Sequence, residues 1–267
     1  MQIKKCIPLK IYYRFMGTAF FGRSLFYKNN LKGSYKVETK NVKFHKFEIS
    51  GKYISVYLTV LPDRPVIYLN TFGDEGESAF EALKSIDCPE FTLVTITGLD
   101  WNRDMTPWSA PSIFKNDDNY TGGADDFLRL LTGRIIPEAE KYVIGKVLWR
   151  GLAGYSLAGL FAVYSMYQVS AFSKIASVSG SLWFPGIKEY ILSHKTKIKP
   201  DRVYLSIGDM ECRSSNNYLK TVQDNTEEIA AFYKESGIDT VFQINPGNHF
   251  KESSKRTAAG IAGILLT

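Results

Sequence analysis

The chain is poor in cysteine and histidine, with three of each among 267 residues. Cys6, Cys88 and Cys212 are too few and too irregularly spaced for a disulfide framework or a zinc site. Long apolar runs are missing as well: nothing approaches the roughly 18 consecutive apolar residues of a membrane span. Residues 1–6 carry two lysines like the start of a signal peptide, but Lys10 and Arg14 break the apolar stretch that would have to follow. There is no internal repeat, low-complexity segment, domain linker, arginine-rich helix or aromatic RNA-binding signature. The 33 basic and 27 acidic side chains leave a net charge of +6, and the lysines are spread along the chain, as on a solvated surface. Nucleic acid is therefore not an expected partner, although such a surface can attract anionic small molecules. No metal, cofactor or membrane association is expected, a homo-oligomer is left open, and the expected location is the cytoplasm.

What the sequence does have is the composition of a folded domain, 45% hydrophobic and 14% aromatic, long enough for one well-buried α/β unit across residues 1–267. Residues 1–34 are aromatic-rich and irregular and acquire no role. Residues 42–49 and 52–60 alternate apolar and polar around Ser50-Gly51, which predicts an antiparallel hairpin. Beyond Pro62 and Pro65 short apolar runs alternate with helical stretches. Strands are predicted at 66–69, 91–96, 148–153, 203–207 and 240–244. Helices are predicted at 78–84, 125–131, 160–166, 219–234 and 254–265, with a break at Pro137 and a long loop at 98–121. A hairpin followed by repeated βα units makes a sheet that is antiparallel at one edge and parallel beyond, with helices on both faces. The ligand crevice of such a sheet lies at the carboxyl ends of its strands. The loops at 70–76 and 98–121, Ser156, the turn at 208–211 and His249 all fall there.

Gly154-Tyr155-Ser156-Leu157-Ala158-Gly159 joins a predicted strand to a predicted helix. A serine on such a turn, between small residues, is the build of a nucleophile elbow, too tight for bulky neighbours. Ala158 stands where glycine is usual and is small enough to fit. An acid and then a histidine should follow the elbow in the chain. The turn Gly208-Asp209-Met210-Glu211 and then His249 come in that order, each just after a predicted strand. The serine hydroxyl needs a base within hydrogen-bond reach. His45 belongs to the hairpin's alternation, and His194 lies in a polar stretch with Ser193, Lys195 and Lys197. His249, after Asn245-Pro246-Gly247-Asn248, is the remaining candidate. Glu211 and Asp209 are both candidate acids, and a Ser156–His249 dyad without an acid is the third arrangement.

With these parts in place, the chain resembles the α/β-hydrolase superfamily and, more narrowly, the esterase family that includes esterase D and the enterochelin-esterase-like hydrolases. The resemblance rests on Pro65-Val66-Ile67-Tyr68-Leu69, Arg103-Asp104-Met105-Thr106-Pro107, Gly122-Gly123-Ala124-Asp125-Asp126-Phe127-Leu128, the elbow and Asn245-Pro246-Gly247-Asn248-His249-Phe250, across residues 40–267. It implies an α/β-hydrolase fold and a serine esterase that cleaves a small acyl ester or a siderophore-like lactone through an acyl-enzyme. It implies Ser156 and His249 as nucleophile and base, and it favours Glu211, three after the glycine, over Asp209. The oxyanion hole is expected from the N–H of Leu157 and a second donor at Thr71 or Phe72, on a loop that departs from the His-Gly common in hydrolases. Arg103 is expected to bind an anionic or catecholic group. Trp101 and Trp108 would wall the pocket or else anchor the long loop, Tyr155 is counted among the substrate contacts, and Cys212 is assigned to packing. Two other readings use the same residues: a non-catalytic binding protein on a hydrolase scaffold, and an acyltransferase.

Overall fold

Ser50 and Gly51 both take positive φ, 52° and 74°, the turn geometry that suits the twist of a two-residue hairpin. Around them β1 (Lys43–Ile49) pairs antiparallel with β2 (Lys52–Leu58). The computed structural model describes residues 43–113 and 117–266; the irregular N-terminal segment, Cys6 and the first residue of the predicted hairpin lie outside them. The hairpin ends at Leu58, before the alternation in the sequence does, because Val60 and Leu61 already stand exposed in the turn that leads to Pro62.

The hairpin is the edge of an eight-stranded sheet in the order β1-β2-β4-β3-β7-β8-β9-β10. Its other strands are β3 (Val66–Asn70), β4 (Thr92–Thr97), β7 (Arg150–Tyr155), β8 (Lys174–Val178), β9 (Arg202–Gly208) and β10 (Asp239–Asn245). β2 meets β4 antiparallel, and every pairing beyond is parallel. β5 (Ser109–Ala110) and β6 (Tyr120–Thr121) form a separate two-residue ladder inside the predicted 98–121 loop.

The helices are α1 (Glu75–Leu83), α2 (Trp101–Asp104), α3 (Ala124–Leu130), α4 (Ile136–Glu140), α5 (Leu157–Gln168), α6 (Ile187–Ser193), α7 (Val222–Glu235) and α8 (Ser253–Leu265). Side chains alternate along β3. Val66 and Tyr68 face a core capped by α3 to α7, and Ile67 and Leu69 face a second core under α1 and α8. Cover on both faces is why these strands read as continuous apolar runs rather than alternations. α5 runs against the sheet buried from Leu157 to Tyr167. Its Phe161 is fully enclosed, and truncating a side chain of that size costs about 3–5 kcal/mol.

Between α3 and α4 the chain makes one widened turn, Leu131–Ile135. Pro137 has no N–H for the carbonyl one turn back, so the helix restarts there. The end of α4 is tied to the sheet. Glu140 accepts from Arg150 Nε and Nη2 at 2.6 and 2.8 Å and from the Tyr68 hydroxyl at 3.0 Å. Burial and the Glu140 charge push the Tyr68 phenol far above its ordinary pKa, so it stays a donor.

Candidate active site

The parallel register gathers three loops at one end of the sheet. Ser156 follows β7, Glu211 follows β9 and His249 follows β10, with Gly208 of β9 directly opposite Asn245 of β10. Ser156 has φ 60° and ψ −124°, a strained conformation for a residue with a side chain, of the kind an elbow requires. The sequence permits it at Gly154. A Cβ there would lie 2.3 Å from the Ala158 carbonyl atoms and 2.6 Å from the Ala158 methyl. The room that Ala158 needs is thus the room Gly154 vacates, which is why alanine serves at the second small position. The turn is pinned on both sides: the Ser156 N–H donates to Val178 O at 3.2 Å, and the Ser181 N–H donates to Ser156 O at 3.0 Å.

Ser156 Oγ lies 3.0 Å from His249 Nε2, and His249 Nδ1 lies 2.6 Å from Glu211 Oε2. Ser181 Oγ is a second, longer neighbour of Ser156 Oγ at 3.4 Å. Of the two candidate acids, Glu211 is the one that faces the histidine. Asp209 turns to the histidine loop and accepts from the Gly247 N–H at 2.7 Å. The Glu211 side chain is 4% exposed. Burial alone would push its carboxyl up, but the hydrogen bond and charge of His249, the Ser179 hydroxyl and the Gly208 amide hold it below its ordinary pKa. His45 stacks on Tyr142 and His194 on Tyr190, away from this group.

The Leu157 N–H opens α5, where helical amides have no intrahelical acceptor, and points the positive end of the helix at the same place. Thr71 does not supply a second such donor. Its N–H donates to Ile96 O at 2.9 Å, and its hydroxyl donates to Gly73 O and Ile96 O; the residue is spent on the end of the β3–β4 ladder. Phe72 follows it, half exposed, edge-on to Trp101 with ring centroids 5.4 Å apart. These two rings border an open cleft of about 600 Å³ whose other walls include Asp100, Asn102 and Thr121.

Three expected substrate contacts are engaged elsewhere. Arg103 is bound by Asp104 at 3.0 Å and by Asp126, and its backbone carbonyl takes the Gly123 N–H; it clamps α2 to α3. Trp108 donates from Nε1 to Pro185 O at 2.9 Å and packs on Tyr164, Phe184 and Tyr190, which makes it an anchor of the long loop. Tyr155 donates its hydroxyl to His249 O at 2.6 Å. Burial pushes this phenol up to about 12, so it acts as a neutral brace of the histidine loop. Cys212 packs half-buried at the core edge, with Sγ 3.5 Å from Gln223 Oε1.

Two residues had no individual role in the sequence reading. Asp104 is the buried hub of the long loop, shared by Lys52, Arg103 and the Asp100 N–H. Arg256 of α8, 6% exposed, reaches Glu211 Oε1 at 3.3 Å. Its one sequence signal is phase: Arg256, Gly260 and Ile264 fall on the buried stripe of α8. Among the described residues, no cluster of three or more His, Cys, Asp or Glu could hold a metal, and no helix is long and apolar enough to cross a membrane.

No protein-family model matches the chain. Its fold is similar to that of an IroE-like serine hydrolase from Shewanella oneidensis, with TM-score 0.68 and 20% identity, covering 84% of this chain and 80% of that one. It is equally similar to the siderophore hydrolase EstB from Aspergillus nidulans, with TM-score 0.68 and 19% identity over 86% and 96% of the two chains. In sequence, the uncharacterized protein YbbA of Bacillus subtilis (strain 168) is 31% identical over 183 residues, 65% of this chain and 72% of that protein. An elbow serine on a sheet of this strand order, with that relative in sequence, settles the lineage: the chain has the α/β-hydrolase fold and belongs to the family of Bacillus subtilis YbbA.

Proposed function

We propose that the chain is a serine carboxylic-ester hydrolase working through an acyl-enzyme. The observation that carries this reading is the continuous row Ser156 Oγ, His249, Glu211 at 3.0 and 2.6 Å. In the forward step His249 Nε2 takes the proton of Ser156 Oγ as the oxygen attacks the ester carbonyl. General-base help of this kind is worth about 10²–10⁴-fold. The negative charge then grows on the carbonyl oxygen. The Leu157 N–H receives it, with a second backbone donor expected from the loop after β3, and one such donor contributes about 10²–10³-fold. Glu211 keeps the Nδ1–H tautomer of His249 and stabilises the imidazolium. His249 returns its proton to the departing alcohol, and water releases the acyl group by the same steps in reverse.

The substrate in this reading is a small acyl ester or a siderophore-like lactone. Support for the lactone comes from the structural neighbours, one of which is a siderophore hydrolase. The Phe72–Trp101 cleft, formed by the loops after β3 and β4, offers aromatic surface for the acyl or alcohol part. A cytoplasmic setting belongs to the same reading and is supported by sparse cysteines, of which Cys88 and Cys212 are unpaired.

A fluorophosphonate probe, followed by peptide mapping, tests the proposal. It is expected to label Ser156, and Ser156→Ala is expected to abolish hydrolysis of p-nitrophenyl esters and of a triscatecholate lactone while the fold is kept. Labelling at another serine, or hydrolysis that survives in Ser156→Ala, would refute it. A folded protein with neither labelling nor hydrolysis would be a binding protein on this scaffold.

A further inference from the structure

Glu211 divides its two oxygens. Oε2 faces His249 Nδ1, while Oε1 accepts from the Gly208 N–H at 2.7 Å and from Arg256 Nη1 at 3.3 Å. The same guanidinium donates to Ser179 Oγ at 3.3 Å and, through Nη2, to the carbonyl of Pro246 at 3.1 Å. One side chain from α8 therefore touches the loop after β8, the acid after β9 and the histidine loop after β10. The backbone is shaped around that contact. A Cβ on Gly208 would come within 2.9 Å of Glu211 Oε1 and 3.0 Å of Arg256 Nη1. Ser179 holds a positive φ of 45° at the end of β8. α8 approaches β8 so closely that a Cβ on Gly260 would lie 2.5 Å from the Val178 side chain.

We propose that Arg256 is a positioning residue of this site: it keeps Glu211 ionised and aimed at His249 while it ties the histidine loop to the acid. The inference rests on the esterase reading above and goes beyond it, since the row Ser156–His249–Glu211 is complete without an arginine. The physical need is specific. A carboxyl buried this deeply tends to take a proton, and a protonated Glu211 could no longer stabilise the imidazolium. A cation at 3.3 Å opposes protonation of Glu211. The other titratable groups around the guanidinium are Tyr155 of β7 and Tyr204 of β9, both pushed up by burial and hence neutral in the working range. Glu252 at the start of α8 is engaged with Lys255, Asp209 is turned to Gly247, and the Lys251 stem packs on Gly247. Glu211 is thus the ionised group that the guanidinium faces.

The active form carries ionised Glu211 and neutral His249, so the acid limb of kcat/KM reports protonation of the pair. Removing the cation makes that protonation easier and moves the limb to higher pH. If Arg256 were only a strut, its loss would let Glu211 swing away, the histidine would lose its anion, and the limb would move to lower pH.

The test measures kcat/KM against pH for p-nitrophenyl acetate in the wild type, Arg256→Gln and Arg256→Lys, with circular dichroism to report folding and fluorophosphonate labelling of Ser156 as a check on the esterase reading. Arg256→Gln is expected to lower kcat about tenfold or more, with KM within about twofold, and to raise the acid limb by roughly one pH unit. Arg256→Lys is expected to restore most of the limb's position. An unchanged profile, or a limb displaced to lower pH, overturns the proposal. If Arg256→Gln does not fold, Arg256→Lys is read alone: it keeps the charge but gives up the fork that reaches Ser179 Oγ and Pro246 O, and it is expected to raise the limb by a few tenths of a pH unit. An unmoved or lowered limb in folded Arg256→Lys is then the overturning result. A wild type that neither labels at Ser156 nor hydrolyses the ester refutes the esterase reading, and this inference falls with it; that outcome is distinct from an active wild type whose Arg256 variants match it.

Discussion

The Tyr155 hydroxyl donates to the backbone carbonyl of His249 at 2.6 Å, so the residue before the elbow serine holds the main chain of the histidine that faces that serine. β7 and β10 are separated in the sheet by β8 and β9, and this phenol spans the gap with a single neutral hydrogen bond. A bond of this kind contributes about 0.5–1.5 kcal/mol net. Tyr155→Phe is therefore expected to lower kcat by roughly threefold to tenfold and leave KM within about twofold. Steady-state kinetics on p-nitrophenyl acetate decide it: a rise in KM with kcat intact would make Tyr155 a substrate contact after all.

Glu211 and Asp209 give a second comparison. Glu211 faces His249 Nδ1, whereas Asp209 accepts only the Gly247 N–H. Glu211→Gln keeps the shape and removes the charge opposite the imidazolium. Asp209→Asn keeps an oxygen able to accept from Gly247. The expected loss in kcat/KM is larger for Glu211→Gln by at least about tenfold, or 1.4 kcal/mol of transition-state stabilisation. The reverse ranking would return the acid's role to Asp209, and two nearly silent variants would point to a dyad.

The parts of this fold that were legible in the sequence are those whose pattern is repeated many times. Strands buried on both faces declare themselves as apolar runs, and Ser50-Gly51 marks its turn by residue type; the order of elbow, acidic turn and histidine was readable, but which of Glu211 and Asp209 faces the histidine was not. The elements inside 98–121 were not legible, because a one-turn helix and a two-residue ladder carry no period. α6 was missed for the same reason: seven residues after Pro185-Gly186 hold barely two turns of pattern. Side-chain roles were harder than elements. Arg103, Trp108 and Tyr155 have the chemistry of substrate contacts, and only the structure shows that Asp104 and Asp126, Pro185 O and His249 O already occupy them. Thr71 failed as a donor because its amide completes the ladder to Ile96, a commitment that register decides and composition does not.

The pH dependence of stability offers a test that needs no substrate. Burial raises the Glu211 carboxyl, but His249, Ser179 and the Gly208 amide outweigh it and hold it below the ordinary glutamate range in the folded state. The native state then binds fewer protons than the unfolded state. Glu211 contributes stability that is present above the unfolded pKa and is lost as pH falls through the folded one. Urea denaturation from pH 7 to 3 is expected to show a steeper loss for the wild type than for Glu211→Gln, with the divergence below about pH 4.5. Parallel curves would mean that this carboxylate is not held ionised by the fold.

Gly208 and Gly133 differ in what an added methyl would meet. Gly208 closes β9 where three groups crowd it: an added Cβ would lie 2.3 Å from the Gly247 carbonyl oxygen, 2.9 Å from Glu211 Oε1 and 3.0 Å from Arg256 Nη1. The first of these is backbone of the histidine loop and cannot swing aside as a flexible side chain would. Gly208→Ala must therefore displace the loop that carries His249, the acid that faces it, or both. Catalysis depends on positions held to fractions of an ångström, so activity is expected to fall much further than stability. A loss of at least about a hundredfold in kcat is expected, because about 1 Å of misplacement already costs on that order. Gly133, in the widened turn between α3 and α4, has no atom within 4 Å of an added Cβ and no positive φ. Gly133→Ala is expected to leave kcat unchanged and to stabilise the protein by about 0.4–1 kcal/mol through the entropy of the unfolded chain. Thermal melts and p-nitrophenyl acetate kinetics on both variants read the contrast directly. An active Gly208→Ala would show that the acid and histidine loops tolerate separation, and the close packing of Gly208, Glu211 and Arg256 would then have no bearing on the reaction.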